Sequence, residues 1–456
     1  MKLLKAEIDG YRNIDRASIG LSQITALVSE SGCGKSNLMS AIAFAARFIS
    51  ADSRTRHQMM SDASCVPMSR ENAGRDFRAD FLFLTESMGI SCCAEYGFSF
   101  EWIRDGGGCR ITGEWLTVKE DRKGRKPERL ILRGEGESLY RARKDGQCNA
   151  RINAGGDGLV IRRLMLQDGL YYHELLKELN AFRVYEIRHP DTAALFSSPA
   201  AMERDGCSFD MKERGSIPRL LCELSEKYPE RYMMLTDAFR TLFPDIEGID
   251  ARAMDLREFC GIRPASAPPF TRKERVCSVY VSDANLNQPL DISVLSDGAR
   301  RVLLMLTAAV FADTEGYQLL EIGEPENSVH PGLLQGFLDA LSQLAGNCRI
   351  LISTNSPYIA ECLSPEALYI GRQESSGHAR FSGIKRSKVR DFLDECRRCG
   401  ESLGGLVFDL LSGSADDRAI LSGYLEDCAG MSQPGCTGAW RSLCGTPGAL
   451  RQTEPL

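Results

Sequence analysis

The parts of one phosphate-binding apparatus stand at opposite ends of this chain, and that separation limits its fold more than any other feature. Ser29-Glu-Ser-Gly-Cys-Gly-Lys-Ser36 follows the apolar run Ile24 to Val28 and precedes Asn37 to Ile49, which is alanine-rich and free of Gly and Pro. Strand, glycine loop and helix in that order are what a phosphate loop requires. Gly32, Cys33 and Gly34 would turn backbone N–H groups around phosphate oxygens, with Ser29, Glu30 and Ser31 forming the start of the loop. Lys35 would reach the β and γ phosphates of a nucleotide, and the Ser36 hydroxyl would hold Mg²⁺. The complete pattern has Gly at position 29, where Ser stands here.

The matching pieces come only after residue 294. Leu295-Ser-Asp-Gly298 opens Ala299 to Ala312, a run so apolar that it reads as a buried helix, with Ser296 and Asp297 placed as caps. Gly323-Glu-Pro-Glu326 follows the strand-like Gln318 to Ile322, which sets the Glu324 carboxylate at a strand's carboxyl end, where α/β sheets bind ligands. From there it could polarise a water for attack on a γ phosphate. Ser353-Thr-Asn-Ser-Pro357 follows the apolar Arg349 to Ile352 and offers the Asn355 amide to a phosphate or to that water. Alone, each of these pieces is an ordinary helix cap or strand-ending turn. Their order and spacing are what single them out. The strands before both sets must share one core, so the reading is an α/β fold whose sheet is assembled from both ends of the chain.

Between the two sets, residues 78–152 interleave Phe81, Phe83, Tyr96, Phe98, Phe100, Trp102 and Trp115 with turns such as Asp105-Gly-Gly-Gly108, the pattern of an antiparallel meander. Helical periodicity across Ile161 to Leu179 and Ile217 to Leu242 predicts a compact helical lobe. The Pro-, Ala- and Ser-rich stretch Pro264 to Pro269 marks the return to the core. No heptad pattern persists through residues 37–294, which argues against a long coiled-coil arm. The predicted divisions are 1–155, the helical lobe 156–270, a second core half 271–430, and a loosely structured tail 431–456.

A formal net charge of −6 gives no overall footprint for nucleic acid, so DNA contact would rest on a local patch such as Lys119 to Arg129. The 17 cysteines are scattered, and Met-Lys-Leu-Leu-Lys-Ala-Glu lacks the apolar core of a signal peptide. Reduced thiols in a cytoplasm are expected. No apolar run approaches the roughly 20 residues that span a bilayer, so no membrane partner is expected. Cys396-Arg-Arg-Cys399 has zinc-like spacing but lies in a helical pattern and lacks a convincing second pair.

The ordered motif set resembles the ABC-type ATPase heads of the SMC, RecF and OLD superfamily. The compact subgroup used as ATPase subunits in bacterial antiphage defence, as in Septu-like systems, is most similar. Ser36-Asn37-Leu38, the run from Glu324 to Pro331 and Thr354-Asn-Ser-Pro357 carry the likeness, and Tyr11-Arg12-Asn13 resembles the aromatic-basic turn that the family sets near its nucleotide. The resemblance implies ATP and Mg²⁺ as ligands, with Arg12 and Asn37 joining residues 29–36. It implies head-to-tail pairing with a second copy or a larger assembly, in which Ser296, Asp297 and Gly298 close on the partner's ATP. Glu324 would be the general base and Asn355 the γ-phosphate sensor. Too few residues follow the last motif for the second catalytic domain of OLD-type nucleases, so a role in defence would imply a separate effector nuclease. Two departures stand out: the family usually has a carboxylate where Gly323 stands and His where Asn355 stands. Their loss should slow hydrolysis more than binding, because Lys35, Ser36 and the loop amides remain. The expectation is therefore a slow ATPase. The alternatives are a RecF-like protein that clamps DNA directly and a nucleotide-bound scaffold that never hydrolyses.

Overall fold

The computed structural model describes residues 1–67, 74–87, 90–104, 110–120, 126–134, 136–188, 192–196, 200–202, 216–255, 275–374 and 376–426. The chain divides into two compact units, Met1–Val184 with Leu363–Leu456, and Tyr185–Cys362.

In the first unit, strands β1 (Lys2–Tyr11), β2 (Ile14–Gly20) and β3 (Ile24–Val28) precede the helix Lys35–Ser50. All five residues of β3 are buried, as a contiguous apolar run demands of a central strand. The meander comprises β4 (Phe77–Ser87), β5 (Ile90–Phe100), β6 (Ile111–Glu120), β7 (Glu128–Arg133), β8 (Ser138–Arg141) and β9 (Cys148–Arg151), each antiparallel to the next. The chain's later strands β17 (Leu368–Gln373) and β18 (Ala379–Gly383) return to this unit, and the sheet order is β3-β17-β18-β2-β1-β4-β5-β6-β7-β8-β9. β17 is parallel to β3, so the core sheet draws strands from both ends of the chain. The meander aromatics pack onto the helix: Phe48 stacks on Phe98 at 4.9 Å and on Phe100 at 4.8 Å, and Phe44 meets Phe77 at 5.3 Å. Such pairs add to the burial of their area and fix the helix that carries the phosphate loop. Glu114, fully buried, accepts from the backbone N–H of Val160 (2.5 Å) and Ile161 (2.9 Å) and from the Tyr96 hydroxyl (3.1 Å).

In the second unit, β10 (Val184–Ile187), β15 (Leu319–Gly323) and β16 (Arg349–Thr354) lie in that order, with β15 parallel to β16 and Gly323 opposite Ser353. A separate sheet runs β11 (Ala200–Met202), β13 (Arg275–Asp283), β12 (Ile246–Asp255), with β14 (Leu290–Asp291) pairing β13. The helix Asp297–Thr314 is buried at every residue from Val302 to Ala312, as its composition predicts.

Several expectations need correction. The predicted helical lobe is mixed, because β10, β11 and β12 fall within 156–270. The run Ile161 to Leu179 is two short helices, Val160–Leu164 and His173–Asn180, separated where Gly169 takes φ +85°. The predicted strand Leu290 to Val294 is strand only at Leu290–Asp291, because Asp291 accepts from the Ser293 N–H and starts a 3₁₀ turn. Pro331 likewise opens a 3₁₀ turn ahead of the helix Leu334–Leu344. The division into units falls at 184/185 and 362/363, where 155/156 and 270/271 had been expected. The turn at 105–108, most of the basic tip at 121–125, the linker at 264–269 and the tail at 431–456 lie outside the described residues.

Candidate functional site

The residues singled out by sequence fall into two groups, one in each unit. In the first unit the loop after β3 leads into the helix Lys35–Ser50 through Gly34, which sits at φ +115° with no side-chain cap and no acid in the first helical turn. An uncapped N-terminus leaves amide donors and the positive end of the helix dipole for an anion, so the cradle fits a phosphate. Gly32 takes φ +81° with open space where a Cβ would stand, whereas a Cβ on Gly34 would come 2.8 Å from Ala379 Cβ and 2.9 Å from the Asn13 amide. The Lys35 side chain is buried, and Nζ donates to Ser29 O (2.9 Å), Ser29 Oγ (3.0 Å) and Glu30 O (3.1 Å). Ser29 lies outside the left-handed region, and a Cβ on the facing Gly371 would be 2.9 Å from Ser29 Cβ. The departure from Gly at position 29 is thus accommodated by a glycine opposite.

Arg12 holds a left-handed φ of +49° in the turn between β1 and β2. Its Nη1 donates to Asn37 Oδ1 (3.1 Å) and its Nε to Ser64 O (2.9 Å), with the guanidinium over the Tyr11 ring. Asn37 Nδ2 donates to Asn13 Oδ1 (2.7 Å), and Asn13 Nδ2 reaches Cys33 O (3.4 Å). Arg12, Asn13, Cys33 and Asn37 therefore form one network around the loop. Asn13 belongs to the quoted Tyr11-Arg12-Asn13 turn, yet nothing in its residue type marks it as a loop ligand. On the loop's outer face, Glu30, Ser31 and Cys33 line an open cleft of about 660 Å³ together with Arg372, Arg380 and Arg418. Burial pushes the Cys33 thiol above its ordinary range, against formation of a thiolate.

In the second unit, Ser296 caps the helix Asp297–Thr314 by accepting from the Ala299 N–H (3.2 Å). Asp297, expected as a cap, is the first helical residue; its Oδ1 accepts from the Thr192 hydroxyl (2.6 Å) and lies 3.5 Å from Arg300. Gly298 follows it inside the first turn. Glu324 leaves β15 in the left-handed region at φ +47°, with its N–H donating to Ser353 O (2.9 Å). The Glu324 carboxylate takes two amides, Asn355 Nδ2 at 2.7 Å and Asn327 Nδ2 at 2.9 Å. Glu326 accepts from the Thr354 hydroxyl (2.6 Å) and the Asn355 N–H (2.9 Å). Burial raises the Glu326 carboxyl above its ordinary range, and those two bonds pull the other way. Sequence reading paired Glu324 with Asn355 only as separate motifs; their direct bond, and the parts of Glu326, Asn327 and Thr354, emerge from the fold. The fully buried Glu321 binds Arg188 at 2.9 Å, and Arg188 also holds Glu186 at 2.7 Å. Glu321 is therefore committed to an ion pair and does not stand in for a carboxylate at 323.

Residues 227–361 match a family described as "AAA domain, putative AbiEii toxin, Type IV TA system", and residues 1–81 match one described as "Protein of unknown function (DUF2813)". Neither match reaches half of the chain. No curated protein matches it. Among solved structures it is similar to an SMC head bound to the C-terminal winged-helix domain of ScpA, at 13% identity and TM-score 0.49, covering 86% of this chain and all of that one. The SMC head domain from Thermotoga maritima gives 12% identity and TM-score 0.42 over 84% of this chain and all of that one. An SMC head from Pyrococcus furiosus with an extended coiled coil, bound to the C-terminal domain of ScpA, gives 12% and 0.43 over 87% and 99%. The AAA-domain match, beside the phosphate loop, supports a nucleotide-binding ATPase. Among the described residues no helix is long and apolar enough to cross a membrane.

Proposed function

We propose that this chain is an ABC-type ATPase subunit that binds ATP with Mg²⁺, pairs head to tail with a second copy or enters a larger assembly, and hydrolyses slowly. The observation that carries the reading is the uncapped, acid-free helix N-terminus behind Gly32 and Gly34 with Lys35 folded into the loop. Arg12, Asn37 and residues 29–36 hold the nucleotide, and Ser36 holds Mg²⁺. The bound ion would supply charge neutralisation at the β and γ phosphates. Ser296, Asp297 and Gly298 complete the partner's site. Glu324 orients and deprotonates the attacking water, and Asn355 senses the γ phosphate.

Slow turnover follows from two features. No carboxylate stands at 323, and the Glu324 carboxylate rests between two amide donors that it must exchange before it can accept a water proton. That same resting arrangement favours a second reading, a nucleotide-bound scaffold that never hydrolyses. The motif resemblance is what suggests a setting in antiphage defence, with the ATPase assembling with or regulating a separate effector nuclease; the matching AAA-domain family is itself described by a "putative AbiEii toxin, Type IV TA system".

Nucleotide content and mass of the purified protein test the reading. Retained ATP in a dimer or larger species, lost in Lys35→Ala and kept in Glu324→Gln, is expected. An empty monomer with turnover well above about 1 per second, against a common enzyme median of about 10, would overturn it.

A further inference from the structure

The ends of β15 and β16 are tied by more than their ladder. Beyond Gly323 the left-handed turn at Glu324 folds the chain back, so that Glu326, two residues on, faces the end of β16. There one carboxylate oxygen of Glu326 takes both the Thr354 hydroxyl (2.6 Å) and the Asn355 N–H (2.9 Å). Thr354 Oγ1 in turn accepts from the Ser356 N–H (2.9 Å), which extends the tie into the Ser353-Thr-Asn-Ser-Pro357 turn. Asn355, held by its backbone, aims its side-chain amide at Glu324 Oε1 (2.7 Å). The second Glu326 oxygen, Oε2, is buried with no hydrogen-bond partner among the described residues.

From this geometry we infer that Glu326 is a positioning residue: it clamps the Thr354–Asn355 backbone so that the Asn355 amide and the Glu324 carboxylate meet in one orientation. The inference rests on the reading of Glu324 and Asn355 given above. A carboxylate kept for stability alone would be expected to satisfy both oxygens, because an unpaired buried oxygen carries its full desolvation cost. Here that cost is retained, and the bonds that are made all fix the two groups proposed to meet the water and the γ phosphate. Such retention marks sites where geometry matters more than stability.

Three measurements on the full chain test the clamp: affinity for a fluorescent ATP analogue, single-turnover hydrolysis, and amide exchange of peptides covering 349–361. Glu326→Ala should leave affinity near wild type, slow turnover about 10- to 100-fold, as loosened positioning does, and speed exchange at Asn355 and Ser356. Glu326→Gln keeps an acceptor oxygen and should restore both exchange and turnover towards wild type. If Glu326→Ala fails to fold, Thr354→Val removes one of the two donors and should slow turnover while sparing affinity. Unchanged exchange and turnover in Glu326→Ala, or in Thr354→Val, would overturn the clamp; so would a loss shared equally by affinity and turnover, which marks a merely structural carboxylate. A wild-type protein that binds the analogue but never hydrolyses it would refute the hydrolytic reading alone, and the exchange comparison would still judge the clamp.

Discussion

Restoring the missing carboxylate is the most informative perturbation. Gly323 does not take a positive φ, and a Cβ built on it meets only Ile187 O at 3.7 Å, Arg188 Cα at 3.9 Å and Ser353 Oγ at 3.9 Å, all ordinary contacts. Gly323→Asp therefore needs no repacking at its first atom. Replacing a strand glycine gains about 0.5–1 kcal/mol in backbone entropy, which the poor strand preference of Asp largely offsets. The nearest like charge on the same face is Glu321, one pleat repeat of about 7 Å away. At an effective dielectric near 20 that repulsion is about 2 kcal/mol, and the Arg188 guanidinium bound to Glu321 cancels most of it. The variant should fold. A carboxylate acting on bound Mg²⁺ through water should raise single-turnover hydrolysis about 10-fold, or about 1.4 kcal/mol. The upper bound is the 10²- to 10³-fold typical of one directly placed group. Gly323→Asn, of the same shape without the charge, and Gly323→Ala are the controls, each measured at saturating ATP and Mg²⁺. An Asp variant no faster than the Asn variant, with nucleotide affinity intact in both, would refute the claim that the absent charge limits the rate.

Two further expectations follow from the structure. Gly32→Ala meets only the strain of φ +81°, about 1–2 kcal/mol, whereas Gly34→Ala adds a clash with Ala379 and Asn13 for about 2–5 kcal/mol in all. Equal losses of ATP affinity and urea stability at the two positions would sink that distinction. Burial first, then Glu95 and Glu7, raises the Asp80 carboxyl well above its ordinary 3.8, so the stability linked to its proton is full below that value and is lost as pH rises through the folded one. Acidification through the folded value should therefore favour the wild type over Asp80→Asn, and identical pH slopes of their thermal midpoints would count against it.

The phosphate loop was legible because Ile24 to Val28 and Asn37 to Ile49 each carry a single unambiguous signal, a contiguous apolar strand and a helix without breakers. The helix Asp297–Thr314 was legible for the same reason. By contrast β12 hides its alternation behind Gly248, where the pairing with β13 also shifts register, and the flanking helices drew the whole region into one predicted lobe. Glu326 was hidden by the turn before it. In an extended chain residues 324 and 326 share a face, and only the left-handed Glu324 parts them so that one meets the side chain of Asn355 and the other its backbone. Long-range partners such as Gly371 opposite Ser29 leave no local trace at all.

The departures from the motif pattern differ in physical kind. Ser29 is balanced by Gly371, and its backbone needs no glycine, so the departure is one of packing. Gly323 has no such balance: its backbone is ordinary, its Cβ position is open, and the fold does not require a glycine there. The strained residue is instead Glu324, left-handed at a cost of about 1–2 kcal/mol and followed by Pro325, which itself disfavours compact conformations in the residue before it. That strain is sustained by the Ser353 carbonyl and the two amides on the carboxylate, so the proposed general base is held in one orientation with no charge beside it at 323. Under the proposed function, a held turn with no charge beside it would keep the nucleotide bound while slowing its hydrolysis.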